Sequence, residues 1–199
     1  KHYTEPQTIR TRASPACTER RFENSTFIIC AFDPAQHDFA LILNGRDGKP
    51  LRSLPALAAH LGIKSDTVAF AMNAGMYDLS GNPIGLYVEN GKERHSLNRR
   101  TGAGNFHIIP NGVFWQDSAG QHVATTDDYA AMTSMSPTYA SQSGPMLVIN
   151  GLINPHFSPD GESRNIRNGV GIDSAGRTWF VISKEPVSFG KFARLFRDG

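Results

Sequence analysis

The sequence is poor in the features that would place it quickly. Its 199 residues include only two cysteines and no long apolar run. The longest such stretches, residues 27–32 and 178–182, fall far short of the roughly 18 residues a membrane-spanning helix needs. A surplus of one charge is also missing. Twenty Lys+Arg against 18 Asp+Glu leaves +2, too little for a protein that holds nucleic acid by neutralising phosphates along its surface. No G-x-S-x-G, G-x-G-x-x-G, P-loop or H-E-x-x-H string occurs, so the hydrolase and nucleotide-binding classes that carry them lose support. No Cys or His pair stands at zinc-ligand spacing. There is no N-terminal hydrophobic signal core, and the chain is expected to begin after one was removed. What is present is an ordinary globular share of apolar residues, 39% plus 19 glycines, which excludes wholesale disorder.

Cys17 and Cys30 lie close in sequence, across an expected loop-to-strand junction, and suit a local bridge. Such a bridge would close a small loop, worth on the order of 3 kcal/mol in the chain-entropy model, and would point to the periplasm or the exterior. The alternative is that Cys30, inside an apolar run, is a buried free thiol.

Residues 1–16 are polar and without period, and read as an arm or extended leader. Residues 27–32 and 39–43 are apolar and β-prone, the second followed by Asn44-Gly45 and Asp47-Gly48 turns. Ser53 as cap, Pro55, the spacing of Leu54, Leu57 and Leu61, and Gly62 as stop predict a helix. A strand over 67–72 should then run into Asn73-Ala74-Gly75. Residues 84–88 before Asn90-Gly91, and 146–149 before Asn150-Gly151, are strand-turn-strand signatures. Asn111-Gly112-Val113 leading to Asp117-Ser118-Ala119-Gly120 is echoed by Asn168-Gly169-Val170 leading to Asp173-Ser174-Ala175-Gly176, which predicts two hairpins of similar shape. Residues 127–134 read as a short helix, and 188–197 as a better one with Phe189, Phe192, Ala193 and Phe196 on one face. The expected fold is one α+β domain, residues 17–199, with a large, mainly antiparallel or mixed sheet and about three short helices. An amphipathic helix normally returns to its sheet, so the domain is expected to lack its C-terminal strand or strands.

Four places could hold chemistry. Asn73 and Gly75 end an apolar strand, where glycine admits a close ligand and Asn offers donors and an acceptor; a plain strand-ending turn explains them equally. Gln142-Ser143-Gly144-Pro145-Met146 is a tight bend opening a strand, ordinary by itself. Arg164 and Arg167 enter a strand on opposite faces, and a buried guanidinium needs either a structural acid or a bound anion. Ser183 stands at the end of an apolar strand. His107, between Phe106 and Ile108, reads as a satisfied sheet histidine or as a base.

Read in order, Phe70-Ala71-Met72-Asn73-Ala74-Gly75-Met76-Tyr77, Gly85-Leu86-Tyr87-Val88-Glu89-Asn90-Gly91, Asn105-Phe106-His107 with Pro110-Asn111-Gly112, Gln142-Ser143-Gly144-Pro145, Arg167-Asn168-Gly169-Val170-Gly171 and Phe192-Ala193-Arg194-Leu195-Phe196 resemble the phosphodiester glycosidase domain family. N-acetylglucosamine-1-phosphodiester α-N-acetylglucosaminidase is its best-known member. The resemblance spans roughly residues 15–199. It implies a site that gathers the Asn-x-Gly strand end, the Gly-Pro bend, the Arg strand and a final Asp-Gly-Gly-x-Ser segment. Asn73, Ser143 and Arg167 would then be catalytic, and Gly75, Tyr77, Gly144, Arg164, Ser183 and His107 would bind substrate. The last segment has no counterpart here, since Asp198-Gly199 follows a helix where the family still has a loop and a strand to come.

The implied substrate is a carbohydrate or sugar phosphate in envelope or exopolysaccharide material. Its phosphate leaving group makes acid catalysis less demanding than in ordinary glycoside hydrolysis. Arg167, with Arg164, would clamp phosphate oxygens, while Asn73 and Ser143 would fix sugar hydroxyls or phosphate. Asp78, Glu162 and Glu185 are the carboxylates close to these motifs. A divalent metal is compatible with phosphodiester chemistry, although no ligand cluster is visible, and no other cofactor is implied. The alternative is a non-catalytic module of the same fold that binds anionic polysaccharide.

Overall fold

The computed structural model describes residues 17–199; the arm expected at 1–16 lies outside them. A four-stranded antiparallel sheet has the order β1 (Cys17–Phe22), β2 (Ser25–Phe32), β11 (Thr178–Ser183), β10 (Asn168–Ile172). A five-stranded antiparallel sheet runs β4 (Lys92–His95), β3 (Tyr87–Glu89), β7 (Tyr139–Ser143), β5 (Gly112–Asp117), β6 (Gly120–Thr125). The short pair β8 (Val148–Ile149) and β9 (Leu152–Ile153) forms a separate hairpin. Helices α1 (Leu54–Leu61), α2 (Thr126–Ala131) and α3 (Phe189–Asp198) complete an α+β domain. The expected antiparallel content is thus divided between two main sheets.

Alternation along the strands explains how these layers pack. On β2 and β11, Phe27 and Val181 face one way and meet Val187, Phe192 and Leu195 on and before α3. Cys30 and Phe180 face the other way and meet Phe114 of β5. The four-stranded sheet is therefore covered on both sides, which is why residues 27–32 read as a continuous apolar run rather than an alternating one. On β5 the same division holds: Val113 and Trp115 pack with Leu86, Val88 and Ala140, opposite to Phe114. Cys17 and Cys30 are cross-strand partners joined by a disulfide.

Local signals built several elements as expected. Ser53 Oγ accepts the Ala56 N–H at the start of α1, and Gly62 ends it. Asn90-Gly91 and Asn150-Gly151 have positive φ at both positions, the geometry that a two-residue hairpin turn requires. The echoed segments are both hairpins, β5–β6 and β10–β11. In each, the turn aspartate accepts from the alanine two residues on and from a tryptophan indole: Asp117 from Ala119 and Trp115, Asp173 from Ala175 and Trp179.

Two expected strands do not form. Residues 39–43 have no strand partner, and Thr67 closes a 3₁₀ turn (Gly62–Thr67) after which 68–74 run without ladder pairing. A strand needs a neighbour's N–H and C=O groups along its length, and among the described residues 39–43 has only the Leu51 N–H bonded to the Leu43 carbonyl, while 68–74 pairs with no ladder. Phe39, Phe70 and Met72 still pack against the cluster between the sheets, while Val68 is 42% exposed. His107 belongs to a 3₁₀ turn (Asn105–His107), not to a sheet.

Candidate active site

A cavity of about 2490 Å³ borders both sheets and is walled in part by the two unpaired stretches. It exceeds the few hundred to about 1,000 Å³ usual for a small-molecule site. Its walls are largely apolar, with Leu41, Leu57, Phe70 and Val170 among them. Asn73, Gly75, Tyr77, His107, Ser143, Gly144 and Arg167 also border it.

Hydrogen bonds and close contacts bring these motifs together. The Asn73 carbonyl accepts from Asn168 Nδ2 at 2.8 Å, which ties the 68–75 stretch to the first residue of β10, next to Arg167. Asn73 Nδ2 donates to the Tyr77 hydroxyl at 3.4 Å. At Gly75 a Cβ would lie 2.5 Å from the Gln142 carbonyl oxygen and 2.6 Å from Ser141 Oγ. Only glycine lets this loop rest on the end of β7. Gln142 itself is 1% exposed and fully used: Oε1 accepts from Leu86 N and Asn98 N, while Nε2 donates to Asn98 O and Thr126 Oγ1. It locks the strand end that presents Ser143 and Gly144.

Arg167 is 8% exposed. Its Nε donates to the Val187 carbonyl and Nη2 to the Ser163 carbonyl, each at 2.9 Å. The guanidinium carbon lies 3.5 Å from the centre of the Phe189 ring. Burial holds its pKa below the ordinary arginine value. Among the described residues no carboxylate forms an ion pair with it. A buried cation held only by neutral acceptors is stabilised by an incoming anion.

Two expected site residues stand elsewhere. Arg164 is exposed and off the cavity wall, because residues 163–166 approach β10 as a loop instead of continuing the strand. Ser183 is 2% exposed, and its hydroxyl accepts the Arg167 backbone N–H at 2.9 Å. It therefore holds the main chain of Arg167 and does not face the cavity. His107 Nδ1 lies 2.9 Å from the Arg100 carbonyl, and its ring packs over Gly102.

The family model for phosphodiester glycosidase matches residues 66–199, from the Asn73 stretch to the end of α3. The chain belongs to the phosphodiester glycosidase family. It is also similar to an uncharacterized protein, YigE, of Escherichia coli strain K12, with 44% identity over 147 residues. That match covers 74% of this chain and 57% of the relative's length. The family is one of glycosidase-type hydrolases with carbohydrate-type substrates.

Within this phosphodiester glycosidase domain the three carboxylates near the motifs are committed or remote. Asp78 Oδ1 accepts from Ser80 N and Asn82 N, and the Asn82 backbone bond above all keeps its pKa low. Glu185 accepts the Thr26 N–H at 2.7 Å, which likewise lowers its pKa. Glu162 is exposed, and none of the three borders the cavity. Among the described residues no group of three His, Cys, Asp or Glu side chains could hold a metal ion. No helix among them is long and apolar enough to cross a membrane. Phe157 escaped the sequence reading because it lies in a loop with no pattern; Gln142 stood in the bend motif, but its locking role depends on partners distant in sequence.

Proposed function

We propose that the protein hydrolyses sugar-1-phosphodiester bonds in envelope or exopolysaccharide material, in the periplasm or outside the cell. The observation that carries this reading is the buried Arg167 guanidinium at the cavity wall, held by two carbonyls and an aromatic face and, among the described residues, paired with no acid. It would bind the phosphoryl oxygens, with Asn73 and Ser143 supplying hydrogen bonds to sugar or phosphate. In the reaction, water adds to the anomeric carbon as the bond from that carbon to the phosphate oxygen breaks. The products are the free sugar and a phosphate monoester, and the proton from water passes to a base. Because phosphate leaves readily, charge stabilisation by Arg167 takes precedence over protonating the leaving group. The carboxylate that serves as base or nucleophile would be that of the Asp-Gly-Gly-x-Ser segment that the resemblance implies. The Cys17–Cys30 disulfide supports an oxidising compartment.

The test is incubation of the whole protein with UDP-GlcNAc and a panel of sugar-1-phosphodiesters in heavy-oxygen water. Release of sugar carrying the label is expected, with a loss of at least about 100-fold in kcat/KM for Arg167→Ala. Label in the phosphate would mean attack at phosphorus and end the glycosidase reading; so would no release across the panel. A second reading, a non-catalytic module that binds anionic polysaccharide, draws on the commitment of Asp78 and Glu185 to local turns and backbone. It expects saturable binding without turnover.

A further inference from the structure

The surroundings of Arg167 contain one feature the reaction does not itself call for. Phe189 is the first residue of α3, placed by Ser188, whose hydroxyl accepts the Lys191 N–H. Its ring lies under the guanidinium and is backed on its own account by Phe157, stacked at 5.1 Å between centroids with 12° between planes. Phe157 reaches that position through a turn in which its N–H donates to the carbonyl of Asn154. Asn154 is 1% exposed, and its side chain donates to the Met146 carbonyl and accepts from His156 N. The loop can close on α3 because residue 190 is glycine: a Cβ there would lie 2.6 Å from the Pro159 carbonyl oxygen and nearer still to that of Ser158.

The two carbonyl acceptors engage Nε and one Nη2 hydrogen of Arg167. Among the described residues they leave the Nη1 hydrogens and the other Nη2 hydrogen for a ligand, since a guanidinium has five N–H donors. Hydrogen bonds at one edge leave the group able to tilt, whereas a flat ring beneath it fixes the plane in which the remaining donors point. We propose that Phe189, backed by Phe157, is a positioning residue that holds the Arg167 guanidinium in the plane that receives a phosphoryl group. The proposal rests on the reading of Arg167 as the anion-binding group.

Nitrogen NMR of the whole protein tests it, with the Arg167 signals assigned by their loss in Arg167→Lys and inorganic phosphate as the probe. Hindered guanidinium rotation and a phosphate-induced shift of Arg167 Nε–Hε are expected in the parent protein. Phe189→Leu should free the rotation and weaken phosphate binding about tenfold, while Phe189→Tyr restores both to within about twofold. A purely structural role would lower melting temperature without these selective changes. A folded Phe189→Leu whose guanidinium stays as hindered as in the parent, or whose phosphate affinity is unchanged, overturns the proposal. Should Phe189→Leu not fold, Phe157→Leu decides: it leaves the ring beneath Arg167 but removes its backing, and an unchanged rotation overturns the platform. Phosphate affinity that Arg167→Lys leaves unaltered would instead sink the anion reading, and the rotation measurement still judges the platform separately.

Discussion

The cluster beneath α3 and the stretch of cavity wall at α1 are built from similar residues and packed very differently. Towards α3, Phe27, Val187 and Phe192 are at most 1% exposed and close a dense cluster. Towards the cavity, α1 has no buried residue, although Leu54, Leu57 and Leu61 all border the space. Protein interiors are normally close-packed, so apolar side chains at a wide cavity contribute far less burial than the same residues beneath a helix. The dense cluster fixes where Arg167 sits, through Ser183, Val187 and Phe189; the cavity that Arg167 borders leaves room for a ligand beside it.

Core truncation gives the largest expected contrast. Phe192→Ala should cost about 3–5 kcal/mol, whereas Leu57→Ala on α1 should stay below about 1 kcal/mol. Urea unfolding of both variants measures the difference, and equal losses would end the division into a dense and an open side. Next in size is the disulfide. Replacing Cys17 and Cys30 by serine releases a cross-link of sequence separation 13, worth about 3 kcal/mol. Because the link lies within β1–β2, turnover at temperatures where the variant stays folded should be unchanged; a parallel loss of activity would show that the open side depends on it. Ser183→Ala is smaller and sharper. It strips the buried Arg167 N–H of its acceptor, at about 1–3 kcal/mol, and unlike the core and disulfide variants it should affect both unfolding and phosphate affinity.

How far the sequence led can be judged from particular residues. The limits of α1 were legible because Ser53 and Gly62 act within a turn of the helix they bound. The hairpins were legible because Asn-Gly carries its backbone geometry with it. Residues 39–43 and 67–72 misled because their β-prone composition says nothing about whether a neighbouring strand is present. At the site, the need of Arg167 for a partner could be foreseen from its place beside an apolar strand, but not the identity of that partner. The carbonyls of Val187 and Ser163 leave no trace in residue type. Ser183 misled for the same reason, since a hydroxyl at a strand end looks alike whether it serves a ligand or the main chain.

The smallest expected effect concerns how α3 is pinned on the dense side. Arg194 of α3 makes a two-pronged bond to Glu23 in the β1–β2 turn, Nε to Oε1 at 2.7 Å and Nη2 to Oε2 at 2.6 Å. The Arg194 bond holds the Glu23 carboxyl below its ordinary pKa of 4.5. A carboxylate with a depressed folded-state pKa contributes stability that is complete above its unfolded value and fades as pH falls through the folded one. Glu23→Gln should therefore cost about 0.5–1 kcal/mol near neutrality, allowing for solvent at this half-exposed pair. The cost should hold steady down to about pH 5 and shrink towards zero in stronger acid. The pair Arg99–Asp127 provides the control, with side chains 63% and 76% exposed. Arg99→Ala should change stability by less than about 0.3 kcal/mol at any of these pH values. If the cost of Glu23→Gln is the same at pH 3 as at pH 7, the ion pair is not what fastens α3, and the apolar contacts of Phe192 and Leu195 hold it without help.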